Sequence, residues 1–193
     1  MRTSVCIFCA SRENIPEVYH RSAARIGQLC AEQGIRLING GGGLGLMGVS
    51  SNACLEAGGK VTGVIPQFMM DRGWGHDGLT EMVVTDTMAT RRQRMRDLSQ
   101  GIITLAGGFG TLEELFETVT QRQMGFYPHP IILLNTNGFY DSLIDWWRRA
   151  QNEQFMRPDH ADLWEVAQTP EEAIRLFLTL PERNDSKESL ARR

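Results

Sequence analysis

The chain has 193 residues, enough for one well-buried domain and short for two. Hydrophobic content of 41% and charged content of 22% are ordinary for a globular protein, and a net charge of -3 gives no general pull toward nucleic acid polymers or anionic membranes. Any anion site must therefore be local.

Met1-Arg2-Thr3 leads straight into Ser4-Val-Cys-Ile-Phe-Cys9, too short an apolar run for a signal peptide, and no run elsewhere is long enough to span a bilayer. A cytoplasmic location with Cys6, Cys9, Cys30 and Cys54 reduced is the expectation. Val5 to Cys9 reads as a first strand, so the members of Cys6-x-x-Cys9 face opposite sides of a sheet and are structural rather than redox-active. Ala10 to Ile15, including Ser11, reads as a loop. Pro16 opens a helix that ends at Gly34. Ile35 to Ile38 is a second strand, and Asn39-Gly-Gly-Gly-Gly-Leu-Gly-Leu-Met-Gly48 a glycine turn leading into a second helix that ends at Gly58-Gly59.

Lys60 to Ile65 is a third strand, stopped by Pro66, and Gln67 to Leu79 a loop long enough to suspect function. Met82 to Thr85 is a fourth strand, followed by a helix from Met88 to Gln100. That helix carries four arginines. At roughly 100° per residue, Arg91 falls in the middle of the Met88, Met95, Leu98 stripe and Arg92 at its edge, while Arg94 and Arg96 fall toward solvent. An arginine on an apolar face needs a partner, and a bound anion is a credible one.

Ile102 to Leu105 is a fifth strand and breaks at Ala106-Gly-Gly-Phe-Gly110. A helix follows with Thr111 as its N-cap and Glu114 as capping-box partner, running to about Met124. Strand, glycine turn and helix start together aim backbone N–H groups and the positive end of a helix dipole at one point, which suits a phosphate or carboxylate. Pro130 to Leu134 is a sixth strand, an aromatic helix carries Trp146 and Trp147, and Trp164 to Ala167 is a seventh strand. Thr169-Pro-Glu-Glu172 opens the last helix. Residues 1–180 thus read as a single domain, and 181–193 as a polar, disordered tail.

Short apolar strands alternating with helices predict an α/β, Rossmann-like, doubly wound and mostly parallel sheet of about seven strands with helices on both faces. Ligands then bind past the carboxyl ends of the strands, where both glycine turns and the loops at Ala10 and Gln67 lie. Gly43-x-Gly45-x-x-Gly48 matches a dinucleotide fingerprint but follows the second strand, and no acid ends the next strand to grip a ribose, which argues against an NAD enzyme. Neither turn has the Gly-Lys-Ser/Thr of a Walker loop. The only lysines are Lys60, at the start of a strand and away from the site, and Lys187, in the tail, so a pyridoxal-dependent lysine decarboxylase would lack its Schiff-base lysine. Asp159-His-Ala-Asp162 is too weak a set for metal, and neither metal nor cofactor is expected.

Gly40-Gly-Gly-Gly-Leu-Gly-Leu-Met-Gly48, Gly63-Val-Ile-Pro66, Leu79-Thr-Glu81, Met88-x-x-Arg-Arg92 and Gly107-Gly-Phe-Gly-Thr-Leu-Glu-Glu114, in this order and spacing, resemble the LONELY GUY (LOG) family of cytokinin riboside 5′-monophosphate phosphoribohydrolases. The resemblance runs from about Val5 to Phe155. It implies a homodimer that hydrolyses the N-glycosidic bond of a cytokinin-type or purine nucleoside 5′-monophosphate to free base and ribose 5-phosphate. Arg91 and Glu114 match the catalytic pair. The implied substrate-binding set is Arg92, Gly107, Gly108, Phe109, Gly110, Thr111, Leu112, Glu113 and Thr120, joined by Gly42, Gly43 and Ser11 from the other loops. Ala106, Ala89, Arg92 and Gly73 stand where the family pattern has proline, histidine, lysine and glutamate, which leaves the base preference open. The competing class is a non-catalytic Rossmann-like carrier of a nucleotide or pterin cofactor, which needs the glycine cradle but not the Arg91 and Glu114 pair.

Overall fold

The computed structural model describes residues 2–183. Its centre is a seven-stranded sheet in which every paired neighbour is parallel: β1 (Ser4–Phe8), β2 (Arg36–Asn39), β3 (Val61–Pro66), β4 (Glu81–Thr85), β5 (Ile102–Thr104), β6 (Ile131–Leu134) and β7 (Glu165–Ala167). The spatial order is β4-β3-β2-β1-β5-β6-β7. The chain winds outward from β1 to one edge, returns, and winds outward from β5 to the other, so the direction of winding reverses between β1 and β5. Val5 lies beside Leu37 on one side, and Ile7 beside Ile103 on the other.

Among the described residues, six α-helices lie between strands and a seventh follows β7. Helices α1 (Glu17–Glu32), α2 (Gly45–Glu56) and α7 (Pro170–Thr179) pack on one face, where Ile26, Leu46 and Phe177 meet Val5 and Ile103. Helices α4 (Met88–Asp97), α5 (Phe109–Gln123) and α6 (Asp141–Asn152) pack on the other, where Met95, Leu115 and Trp147 meet Cys6 and Ile102. Parallel strands covered on both faces need apolar side chains at successive positions, which is why residues 5–8, residues 102–103 and β6 read as apolar runs. Cys6 and Cys9 join opposite cores, as a spacing of three along an extended chain requires. All four cysteines are free and buried, and burial pushes the Cys6 and Cys9 thiols far up, so neither is a ready nucleophile.

Three local readings change. The Gln67–Leu79 segment is not all loop, because Pro66 leads directly into a short helix, α3 (Gln67–Met70). Helix α5 begins at Phe109 with Gly108 at its N-cap, so Thr111 is buried inside the first turn instead of capping it. Glycines on both sides of Phe109 removed the usual side-chain cap from view. Arg96 is not solvated: it is 5% exposed and donates to Gln93 Oε1 at 2.9 Å and Glu117 Oε1 at 3.0 Å. A carboxylate on the neighbouring helix supplies the partner that burial demands.

Thr87 and Thr90 form a reciprocal cap that starts α4, and Thr169 accepts from Glu172 N to start α7. At the end of the chain, Arg183 N donates to Pro128 O at 2.8 Å, so residues 181–183 return to the body of the domain. The rest of the expected disordered tail lies outside the described residues. No described helix is long and apolar enough to cross a membrane.

Candidate active site

Four loops at the carboxyl ends of β5, β1, β2 and β3 enclose a cleft of about 550 Å³ at the point where the winding reverses. Glycine makes the enclosure possible. Gly45 has φ +61°, and a Cβ there would come within 2.5 Å of the Ser11 backbone carbon, so only glycine lets α2 start against the Ala10–Arg12 loop. Leu46 N donates to Ala10 O at 3.0 Å, and Ala10 N to Ala106 O at 3.1 Å, which ties the loops after β1, β2 and β5 together.

Arg91 and Glu114 form the floor. Arg91 is 7% exposed and Glu114 is 9% exposed. The Arg91 guanidinium is held by backbone: Nε donates to Val64 O at 3.0 Å and Nη2 to Gly40 O at 3.1 Å. Its third nitrogen, Nη1, lies 3.7 Å from Glu114 Oε1. Two carbonyl dipoles and one carboxylate meet the cost of burying this charge, and the carboxylate contact is long enough to leave Glu114 oxygen available to a third group. Burial raises the Glu114 carboxyl to about 7, with Arg91 and then Arg92 opposing the rise, and Glu113 and Glu117 adding to it. A carboxyl poised there exchanges a proton near neutral pH, the condition for acid–base work.

The order of strands gives the cleft two unlike walls. On the β5 and β1 side stand Gly108, Phe109, Gly110 and Thr111 at the start of α5, with Ser11 and Arg12 from the loop after β1. No side chain caps α5, so its first N–H groups remain open to an anion. Arg12 is exposed and makes no ion pair or hydrogen bond among the described residues. On the β2 and β3 side stand Gly42 and Gly43 with Leu44, Met47, Ile65, Met69 and Trp74. Behind that wall, His76 Nδ1 accepts from Gly78 N at 3.0 Å, so its proton is on Nε2, which donates to Asn52 Oδ1 at 2.8 Å.

The cleft therefore gathers Arg91, Glu114, Ser11, Gly42, Gly43, Gly108, Phe109, Gly110 and Thr111 from the expected set. Arg92, Gly107, Leu112, Glu113 and Thr120 lie outside its lining in this single chain. Arg92 pairs with Glu113 at 3.2 Å and with Glu117. Gly107 packs against Thr111, Leu112 against the α4–α6 core, and exposed Thr120 donates to Phe116 O at 2.8 Å. Sequence reasoning missed Arg12, Gly40 and Trp74. The run of glycines marked Gly40, but nothing in the pattern showed that its carbonyl and its missing side chain both serve Arg91.

A family model described as "Possible lysine decarboxylase" matches residues 47–177. The probable cytokinin riboside 5′-monophosphate phosphoribohydrolase LOGL2 of Oryza sativa subsp. japonica is 36% identical over 170 residues, covering 88% of this chain and 70% of that protein. The cytokinin riboside 5′-monophosphate phosphoribohydrolase LOG2 of Arabidopsis thaliana is 37% identical over 152 residues, covering 79% of this chain and 71% of that protein. Among solved structures, the molybdenum cofactor binding protein of Rippkaea orientalis superposes with a TM-score of 0.71 at 22% identity, covering 93% of this chain and 98% of that one. That likeness concerns the fold. The decarboxylase description does not suit the cleft, since among the described residues no lysine lines it and Lys60 lies before β3, at the opposite end of the strands. Among the described residues, no group of three His, Cys, Asp or Glu is placed to hold a metal ion.

Proposed function

This chain belongs to the LONELY GUY (LOG) family of cytokinin riboside 5′-monophosphate phosphoribohydrolases, and on that premise we propose that it hydrolyses the N-glycosidic bond of a nucleoside 5′-monophosphate. The single observation that carries the reading is the buried Arg91 and Glu114 pair at the floor of a cleft with one anion-seeking wall and one apolar wall. A pure carrier needs the walls but not the pair.

The 5′-phosphate binds the open N–H groups at the start of α5, with Arg12 and Ser11 facing it. The base then lies toward β2 and β3, and C1′ comes over the floor. Breaking the C1′–N bond builds positive charge on the ribose and negative charge on the leaving base. Ionised Glu114 stabilises the first and activates water. Arg91 orients Glu114 and offsets developing negative charge. Water supplies hydroxyl to C1′ and its proton to the base, leaving free base and ribose 5-phosphate.

The working unit in this reading is a homodimer, and exposed Trp146, packed edge-to-face on Phe116, offers apolar surface for a second copy to cover. Incubating the chain with AMP and isopentenyladenosine monophosphate, and assaying free base and ribose 5-phosphate, tests the activity. Glu114→Gln is expected to abolish turnover while leaving nucleotide bound.

A further inference from the structure

Trp74 is half exposed at the apolar wall of the cleft. Its position is fixed by backbone: Trp74 N donates to Met69 O at 3.1 Å, Gly43 N donates to Trp74 O at 3.4 Å, and Gly75 bridges Gly42. The indole is braced by Arg72, whose guanidinium carbon lies 5.2 Å from the Trp74 ring centroid and 5.5 Å from the Phe68 ring centroid. A large flat ring is thus held at the mouth of a nucleotide-sized cleft with much of its surface in water.

The neighbouring lining side chains Leu44, Met47, Ile65 and Met69 carry no strong hydrogen-bond donor or acceptor. Reading a base through its exocyclic groups needs such groups, and sites that have them discriminate strongly. The side chains of this wall offer stacking area and shape. Base–aromatic stacking is indifferent to substituents because every base presents a π-face.

We propose that Trp74 is the platform on which the base stacks, so that the chain accepts nucleotides with little regard to the exocyclic group of the base. Arg72 is a positioning residue that holds the indole. The assignment rests on the phosphoribohydrolase reading for the identity of the ligand as a nucleotide.

The test is calorimetric titration of AMP, IMP and ribose 5-phosphate into the chain, all in a Glu114→Gln background so that nothing is cleaved, comparing Trp74 with Trp74→Ala and Trp74→Phe. Trp74→Ala is expected to weaken AMP and IMP alike by roughly 5- to 150-fold, the range stacking contributes. Ribose 5-phosphate, which has no base, should bind unchanged, and Trp74→Phe should keep most of the nucleotide affinity. Unchanged AMP affinity in Trp74→Ala, an equal loss for ribose 5-phosphate, or a more than tenfold preference between AMP and IMP with Trp74 intact would each overturn the proposal. Hydrolysis by the unmodified chain is assayed separately. Stacking without cleavage would sink the hydrolase reading alone, cleavage with an indifferent Trp74→Ala would sink this one alone, and no AMP binding at all would sink both.

Discussion

Arg91 and Gly40 are matched by space as well as by a hydrogen bond. Arg91 Nη2 donates to Gly40 O at 3.1 Å, and a Cβ built on Gly40 would stand 1.7 Å from that same nitrogen. The guanidinium occupies the volume that any side chain at residue 40 would need. Gly40→Ala therefore expels Arg91 from its seat beside Glu114. A displacement of about an ångström at a reacting centre costs on the order of a hundredfold in rate, so kcat should fall by at least that much while circular dichroism stays unchanged. Undiminished kcat in Gly40→Ala would show that Arg91 is not held for catalysis.

The Glu114 carboxyl titrates near 7, raised by burial against the pull of Arg91 and Arg92. If the ionised form is the working one, kcat/KM should climb with pH through about 7 and level off above it. Arg92 stands outside the cleft lining yet lowers the same carboxyl, so Arg92→Gln should move the midpoint of that climb to higher pH. A profile flat from pH 5 to 9 would remove Glu114 from the mechanism.

Stability carries the same signature with the opposite slope. Glu114 has a folded pKa of about 7, above the ordinary glutamate value of 4.5. Between those values the folded chain holds a proton that the unfolded chain has lost, so rising pH lowers stability across this window, by roughly 3 kcal/mol in total. Glu114→Gln removes that burden. Relative to the unmodified chain, its melting temperature should be raised at pH 8 and little changed at pH 4.5. A variant less stable by the same amount at both pH values would mean that the carboxylate is a net structural support.

Arg12 is an exposed cation lining the same cleft as the α5 N-terminus. Removing its guanidinium takes away a charge-assisted hydrogen bond to phosphate, so Arg12→Ala should raise KM for a nucleoside 5′-monophosphate roughly tenfold, with kcat little changed. Weak inhibition by the corresponding nucleoside, which has no phosphate, should be unaffected. Equal weakening of nucleotide and nucleoside would place Arg12 elsewhere in recognition.

The proposed homodimer is checked by sedimentation equilibrium. One chain has a mass of 21.7 kDa, so a species at twice that mass is expected, and Trp146→Glu should shift it toward the single-chain mass. A monomer at assay concentration with full activity would remove the dimer from the account.

Much of this was legible in the residues themselves. Apolar runs broken by glycine and alternating with helical periods made a parallel sheet the natural solution, and the sheet placed the site at its carboxyl end. Arg91 was recognisable as the arginine on the buried stripe of its helix. Arg96 was not, because its partner Glu117 belongs to a different helix and only packing brings the two together. Thr111 has the look of a cap in S/T-x-x-E, yet the uncapped turn at Gly108 competes successfully for the helix start and leaves its N–H groups open. Trp74 and Arg12 gave no periodic signal at all. Each lies in a segment that the backbone hydrogen bonds of neighbouring loops, not local propensity, bring to the cleft.

The most direct test is to incubate the chain with AMP and quantify adenine, ribose 5-phosphate, adenosine and inorganic phosphate together, with Arg91→Ala and Glu114→Ala as controls. The account predicts adenine and ribose 5-phosphate in equal amounts, no adenosine, and loss of both products in each variant. Adenosine with phosphate, or base release that persists without Arg91 and Glu114, would contradict it.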